Sequence, residues 1–352
     1  MRAMCSKELK MTEHTLISTL RSALPIALIC LASLALVPEN IVAQESEHPK
    51  TSWDDPDLGG IWDYWTFTPL QRPEEFADKA TLSNEEAATL AGQLHEEALA
   101  RDLPPPPGEV GGYSQAAWTD RARATALNQT ALIVDPANGR IPALTAEAKR
   151  QEEIRVSTDG QPVRIRVGGF GTAGPEERGL AERCLLGFST GPPLLPGGYN
   201  NNVQIFQTPD AVVLLLEMNH DVRVIPIDGR PVLSEDIRQW MGSSRGRWEG
   251  DTLVVDTQNF TNKTASLSLT GLALGTAEQL HLVERFTRIS ENTLLYEFTV
   301  NDSESFTRSF SGRLPMNHSE LPLFEYACHE GNYGMENLLR GARTEEQAAS
   351  NP

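Results

Sequence analysis

The sequence lacks the local patterns that announce a metal. It has no His-Glu-x-x-His, no paired Cys-x-x-Cys and no acidic loop of the EF-hand kind, so zinc and calcium sites of those types are excluded. It is poor in cysteine, with four in 352 residues, and poor in cations, with 30 Lys and Arg against 48 Asp and Glu. The formal net charge of −18 repels phosphate backbones and anionic lipid, which argues against nucleic-acid and polybasic membrane partners. Only one long apolar run is present, Ala23 to Val37, which excludes a multi-span helical membrane protein. The 27 glycines and 23 prolines follow no fixed period, and this excludes collagen and coiled coil.

What is present begins with a leader. Arg2, Lys7, Lys10 and Arg21 precede or adjoin the apolar run, and Ile41-Val42-Ala43 follows it before Gln44. Charge, apolar core and small residue in that order mark a secretory signal, too short and isolated for an anchor, with cleavage expected after Ala43. Residues 1–43 are read as the signal peptide and 44–57 as a mobile polar lead-in. The mature protein is then periplasmic or secreted, with no membrane attachment after leader removal. The leader takes Cys5 and Cys30 with it and leaves Cys184 and Cys328. In an oxidising compartment this last pair is expected to form one disulfide; the other reading is two separate buried thiols.

From Leu58 the chain is read as one domain, 58–352. Ser83-Asn84-Glu85-Glu86 is a capping box, and Ala87, Leu90, Ala91, Leu94 and Ala98 follow at helical spacing, so a helical insertion is expected over 83–101. Pro104 to Pro107 end it as a stiff linker. Met335, Leu338, Leu339 and Ala342 form one stripe, giving a C-terminal helix over 335–348 that covers the fold. Between the helices the period is two. Strands are expected at Ala131 to Val134, Val163 to Val167, Val203 to Gln207, Ala211 to Pro226, Thr252 to Thr257, Gln279 to Arg288, Thr293 to Asn301, Phe306 to Phe310 and Leu323 to His329. Asp228-Gly229, Glu249-Gly250-Asp251 and Glu291-Asn292 join them as antiparallel hairpins. The expected fold is mainly β, a single antiparallel β-barrel with an inserted helix and a C-terminal helix, because closure removes exposed edges. A sandwich is the other arrangement these strands allow.

Gly169, Gly171 and Gly174 spell Gly-x-Gly-x-x-Gly, but Glu176 and Glu177 crowd the helix start that a pyrophosphate would need. The run reads as a glycine loop, and no cofactor is expected. Strand parity is more informative. In Ala211 to Pro226 the even positions Leu214, Leu216, Met218, His220, Val222 and Val224 form an apolar row in which His220 alone is polar, with Glu217, Asn219, Asp221 and Arg223 on the other face. After Gln279 the row Leu280, Leu282, Glu284 and Phe286 is apolar apart from Glu284, and His281 points the other way, so the two cannot share a metal directly. A charged group on a core row must be paired or neutralised, so His220 and Glu284 are acid–base candidates, or else a structural pair.

The run Tyr326-Ala327-Cys328-His329-Glu330-Gly331-Asn332-Tyr333-Gly334 packs thiol, imidazole, carboxylate, amide and two phenols together. Its plainer reading is that Asn332 and Glu330 cap the last helix. If both cysteine segments are extended, Arg183 and His329 point away from the disulfide and approach each other, setting a cation beside an imidazole. The expected site therefore uses His220 and His329 for proton transfer, Asp221, Glu284 and Glu330 as orienting groups, and Arg183, Arg223, Tyr326 and Asn332 for holding substrate, with no metal. The expected function is a cofactor-independent acid–base hydrolase or lyase acting on a small organic molecule in the barrel mouth; the alternative is a non-catalytic carrier of such a ligand.

Several runs together resemble a large family of exported bacterial proteins of unknown function. They are Leu58-Gly-Gly-Ile-Trp62, Leu132-Ile-Val-Asp-Pro136, Gly174-Pro-Glu-Glu-Arg-Gly179, Arg183-Cys184, Tyr199 to Pro209, Arg245-Gly-Arg-Trp-Glu-Gly-Asp251 and Tyr326 to Gly334, the last being the most specific. The resemblance spans most of the mature chain and implies export and bacterial origin, with no reaction attached. The chain departs from the family pattern at Val232, where a His follows Asp-Gly-Arg-Pro, and at Gln129, where the pattern is basic. Gly60-Ile61-Trp62 is also similar to the Gly-x-Trp opening of lipocalin-type barrels, which implies the same fold class.

Overall fold

Alternation of large apolar and polar residues builds one long antiparallel sheet. In β10 (His281–Ser290) and β11 (Thr293–Asn301) the residues Leu282, Glu284, Phe286, Leu294, Tyr296, Phe298 and Val300 face inward and are almost wholly buried. Glu291-Asn292 closes this hairpin, with Ser290 opposite Thr293. Gly250-Asp251 does the same for β6 (Ser243–Glu249) and β7 (Thr252–Gln258), with Glu249 opposite Thr252. The computed structural model describes residues 49–101, 127–155, 162–269 and 271–351.

The remaining strands are β1 (Gly60–Asp63), β2 (Ile133–Asp135), β3 (Asn202–Thr208), β4 (Ala211–Leu216), β5 (Val222–Pro226), the small pair β8 (Leu267–Leu269) and β9 (Leu272–Leu274), and β12 (Phe310–His318). The main sheet runs β5-β4-β3-β1-β12-β11-β10-β7-β6, with β2 alongside β12, and every pairing is antiparallel. Its two ends, β5 and β6, come side by side without a backbone ladder. Gly246 lets them meet: a Cβ there would lie 2.8 Å from Ile227 and 2.9 Å from Ile225. The result is a nearly closed barrel with one seam.

Its lumen is packed rather than hollow. Trp62, Leu214, Leu253, Phe286, Tyr296, Leu314 and Met316 are fully buried in one core, and each large apolar side chain removed from water contributes about 1.5–3 kcal/mol. Helix α1 (Asn84–Arg101) starts at the expected capping box, with the Ser83 N–H donating to Glu86 and the Glu86 N–H to Ser83 Oγ. Helix α2 (Ala146–Arg155), capped by Thr145 Oγ1, was not anticipated. Helix α3 (Tyr333–Ser350) covers the expected 335–348 but buries no side chain; Arg343 ties it to the carbonyls of Thr172 and Ala173. It is a tethered helix, not a cover.

Other expectations need correction. Ala211 to Pro226 is a hairpin, because Asn219 (φ 61°) and His220 (φ 53°) turn the chain between β4 and β5. The turn switches the parity: Val212, Leu214 and Leu216 are buried before it, and Arg223 and Ile225 after it. His220 therefore lies on an exposed turn and Arg223 in the lumen, the reverse of the expected rows. Val163 to Val167 and Leu323 to His329 form no strand, and the segment expected as Phe306 to Phe310 begins a strand only at Phe310. Asp228-Gly229 turns the chain out of β5 into a long connection to β6 instead of a hairpin. In the expected lead-in, residues 49–57 form a small loop closed by the Asp57 N–H to Pro49 bond and held to β3 by Gln207. The expected leader and the Pro104 to Pro107 linker lie outside the described residues. The glycine run 169–174 wraps tightly around Glu177, whose carbonyl would stand 2.3 Å from a Cβ at Gly169.

Candidate functional site

A charged network crosses the lumen beside the seam. Glu284, 0% exposed, receives Nη1 of Arg223 at 3.0 Å, Nη2 at 2.5 Å and the Tyr296 hydroxyl at 2.8 Å. Tyr296 Oη in turn accepts the Leu194 N–H at 2.9 Å, and Arg223 Nη2 also reaches Ser244 and Thr257. Burial works against the Arg223 charge, but the Glu284 carboxylate outweighs it and holds the guanidinium above its ordinary range. Burial, then the negative charge of Glu284, pushes the Tyr296 hydroxyl well up. The partner of Glu284 is thus Arg223, not His220. Arg223 Nε is buried with no hydrogen-bond partner.

Outside the seam lies a cleft of about 730 Å³, walled by β5, the start of β6 and the connection between them. Arg223, Arg230, Arg238 and Arg245 line it, and among the described residues no Asp, Glu or His does. Arg230 is neutralised by Asp228. Among the described residues Arg238 and Arg245 have no carboxylate partner. Arg238 Nη1 donates to the carbonyls of Phe260 and Glu278 at 3.1 and 2.7 Å, and Arg245 donates to those of Arg230, Pro231 and Ser244. Carbonyls therefore hold both guanidinium forks, leaving Nε and Nη2 of Arg238 and Nη2 of Arg245 without an internal acceptor. Fixed cations with spare donors are a preorganised receptor for an anion.

Of the remaining expected residues, His220 and Tyr326 meet at the β4–β5 turn. His220 Nε2 accepts the Tyr326 N–H at 3.2 Å, and Glu217 accepts the Phe324 N–H at 3.1 Å. These bonds strap the 324–332 segment across the turn in place of a strand ladder. Cys184 and Cys328 form the expected disulfide, with Cα atoms 5.7 Å apart, and Asn332 donates to the Glu182 carbonyl while its side-chain oxygen caps α3. Cys184 sits in a turn at φ 55° and Cys328 in a bend, so neither segment is extended. Among the described residues no hydrogen bond joins Arg183 to His329. Arg183 instead lines a second cleft of about 490 Å³ with Trp240 and Lys263, and His329 and Glu330 stand exposed, without side-chain partners among the described residues.

Asp221 and Arg166 clamp the loop over 187–191. Asp221 accepts the Gly187 N–H at 3.4 Å, and Arg166 donates to the carbonyls of Gly187 and Gly191. Burial raises the Asp221 carboxyl above its ordinary value, against the opposing pull of Thr190, Gly187 and Arg166. Burial also lowers Arg166, to about 10. This loop, Gly187-Phe188-Ser189-Thr190-Gly191, carries the spacing of a serine nucleophile elbow, which the sequence reading missed. Ser189 is 1% exposed, with Oγ against the Asn200 carbonyl and Met218 sulfur, and no strand leads into it. It lacks the exposed strand-to-helix turn that an elbow requires.

Sequence reasoning also missed Arg238, Trp240 and Arg245. The available signal was the concentration of arginines interleaved with tryptophans between Arg238 and Trp248 in an otherwise acidic chain. Among the described residues, no group of three or more His, Cys, Asp and Glu side chains is placed to hold a metal ion. No protein-family model matches the chain, and no curated protein matches it.

Proposed function

We propose that this chain is an exported binding protein that takes a small organic anion into the seam cleft. One observation carries the reading: among the described residues, two arginines without carboxylate partners, Arg238 and Arg245, line a cleft to which no Asp, Glu or His contributes, in a protein of net charge −18. An acid–base hydrolase or lyase needs a titratable group at its ligand. Glu284 is committed to Arg223 and Tyr296 behind the seam, and His329 and Glu330 are not part of the cleft lining. Binding without chemistry is the better-supported use of this geometry. Export rests on the leader pattern of residues 1–43.

The test is calorimetry of the mature protein against a panel of organic carboxylates, sulfonates and phosphates. At least one class is expected to bind saturably, and Arg238→Ala with Arg245→Ala is expected to weaken it by about 10- to 100-fold, the worth of one or two lost charge-assisted hydrogen bonds. Circular dichroism of the double variant checks that the barrel is intact. An affinity untouched by the double substitution, or no saturable binding by any anion, would overturn the proposal.

A further inference from the structure

We infer that the ligand of the seam cleft is an aromatic carboxylate, a flat apolar body carrying one anionic head. This rests on the anion-binding reading above and narrows it. The cleft sets cations beside apolar surface. Arg238 and Arg245 lie on the connection and on β6, whereas β5 contributes Val222 and Val224, 48% and 57% exposed.

Those valines face outward because the His220 turn switches the parity of the hairpin, so their exposure is built into the backbone. They also continue an apolar row over the outer surface: Val213 lies opposite both Val224 on β5 and Phe206 on β3, and Phe206 is 45% exposed. An exposed apolar row running into a cationic cleft marks a ligand surface more readily than scattered apolar residues would.

Trp240 and Met241, both half-buried, join Leu185, Leu186 and Leu233 in the apolar lining, and an indole offers a flat partner for an aromatic ring. Size points the same way. About 730 Å³ falls within the roughly 300–1,000 Å³ of sites for organic ligands and is far more than acetate or phosphate fills. The lining also offers little to a sugar. Ser244 is engaged by Arg223 and Thr257, and Ser243 by Arg245, so both lining serine hydroxyls are already occupied.

Calorimetry of the mature chain with 2-naphthoate, 2-naphthamide, acetate and inorganic phosphate separates the possibilities. Naphthoate is expected to bind roughly 30-fold more tightly than acetate or phosphate, from burial of its rings. Naphthamide, of the same shape without the charge, is expected to be at least about tenfold weaker than naphthoate. Trp240→Ala should cost naphthoate about tenfold and leave acetate and phosphate unchanged. Val224→Ser, on an exposed face where it disturbs no core packing, serves as a second variant and should weaken naphthoate alone. Acetate or phosphate equal to naphthoate would overturn the aromatic class and leave the anion reading standing. Naphthamide equal to naphthoate would overturn the anionic head, and no binding by any of the four would overturn both.

Discussion

Replacing Glu284 by leucine removes the carboxylate paired with Arg223 in the lumen and allows the energetics of the network to be measured. The substitution removes the acceptors of two Arg223 bonds, at 3.0 and 2.5 Å, and of the Tyr296 hydroxyl at 2.8 Å. Arg223, with its side chain 2% exposed, is left charged against two neutral hydroxyls, Ser244 and Thr257. Breaking a buried pair from one side costs about 3–5 kcal/mol, because the orphaned charge keeps its desolvation penalty without its partner. In a chain of this size that corresponds to a fall in Tm of roughly 5–8 °C. Arg223→Met combined with Glu284→Leu removes both charges and should lie within about 1–2 kcal/mol of the parent, so the double-mutant cycle should show a large coupling term. Tyr296→Phe, which leaves the Leu194 N–H unpartnered, should cost about 1–3 kcal/mol. Urea unfolding followed by fluorescence and circular dichroism supplies the values, with coincident curves checking two-state behaviour. If Glu284→Leu costs less than about 1 kcal/mol, or the double variant is as unstable as the single, the buried pairing of Arg223 with Glu284 is refuted.

Three further outcomes follow from the same structure. Because burial raises Asp221 above its ordinary 3.8, the folded chain binds more protons than the unfolded one between that value and the folded value; this contribution is full below 3.8 and is lost as pH rises through the folded value. Asp221→Asn should abolish that part of the pH slope, and parallel Tm–pH curves for the two proteins would refute it. Reducing Cys184–Cys328, which closes a separation of 144 residues, should lower stability by up to about 5 kcal/mol on chain-entropy grounds. It should also weaken ligand binding, since Leu185 and Leu186 beside Cys184 line the seam cleft; mass spectrometry finding both thiols alkylatable in the non-reduced protein would count against the bond. His329→Ala should leave ligand affinity unchanged, because His329 is exposed and does not line the cleft; a loss beyond about tenfold would move the ligand away from the seam.

Much of the barrel was legible in the residues because its signals are local. The alternation along β11, the two-residue turns at Glu291-Asn292 and Gly250-Asp251, and the Ser83 to Glu86 capping box each act within a few residues, and folding preserved them. The cysteine pairing was legible by elimination. β6 was not, since Ser-Ser-Arg-Gly-Arg-Trp-Glu has no β-branched residue and becomes a strand through its hairpin with β7. The site was the least legible part. A single turn at Asn219 and His220 exchanged the faces of every later residue in that hairpin, turning Arg223 inward and His220 out. Glu284 found its partner 61 residues away, and the seam cleft takes shape only when β5, with Val222 and Val224, closes against β6 and the cations Arg238 and Arg245. Periodicity along the chain determines that a row of side chains is buried; which residues meet across the lumen depends on register and closure, set by packing between segments remote in sequence.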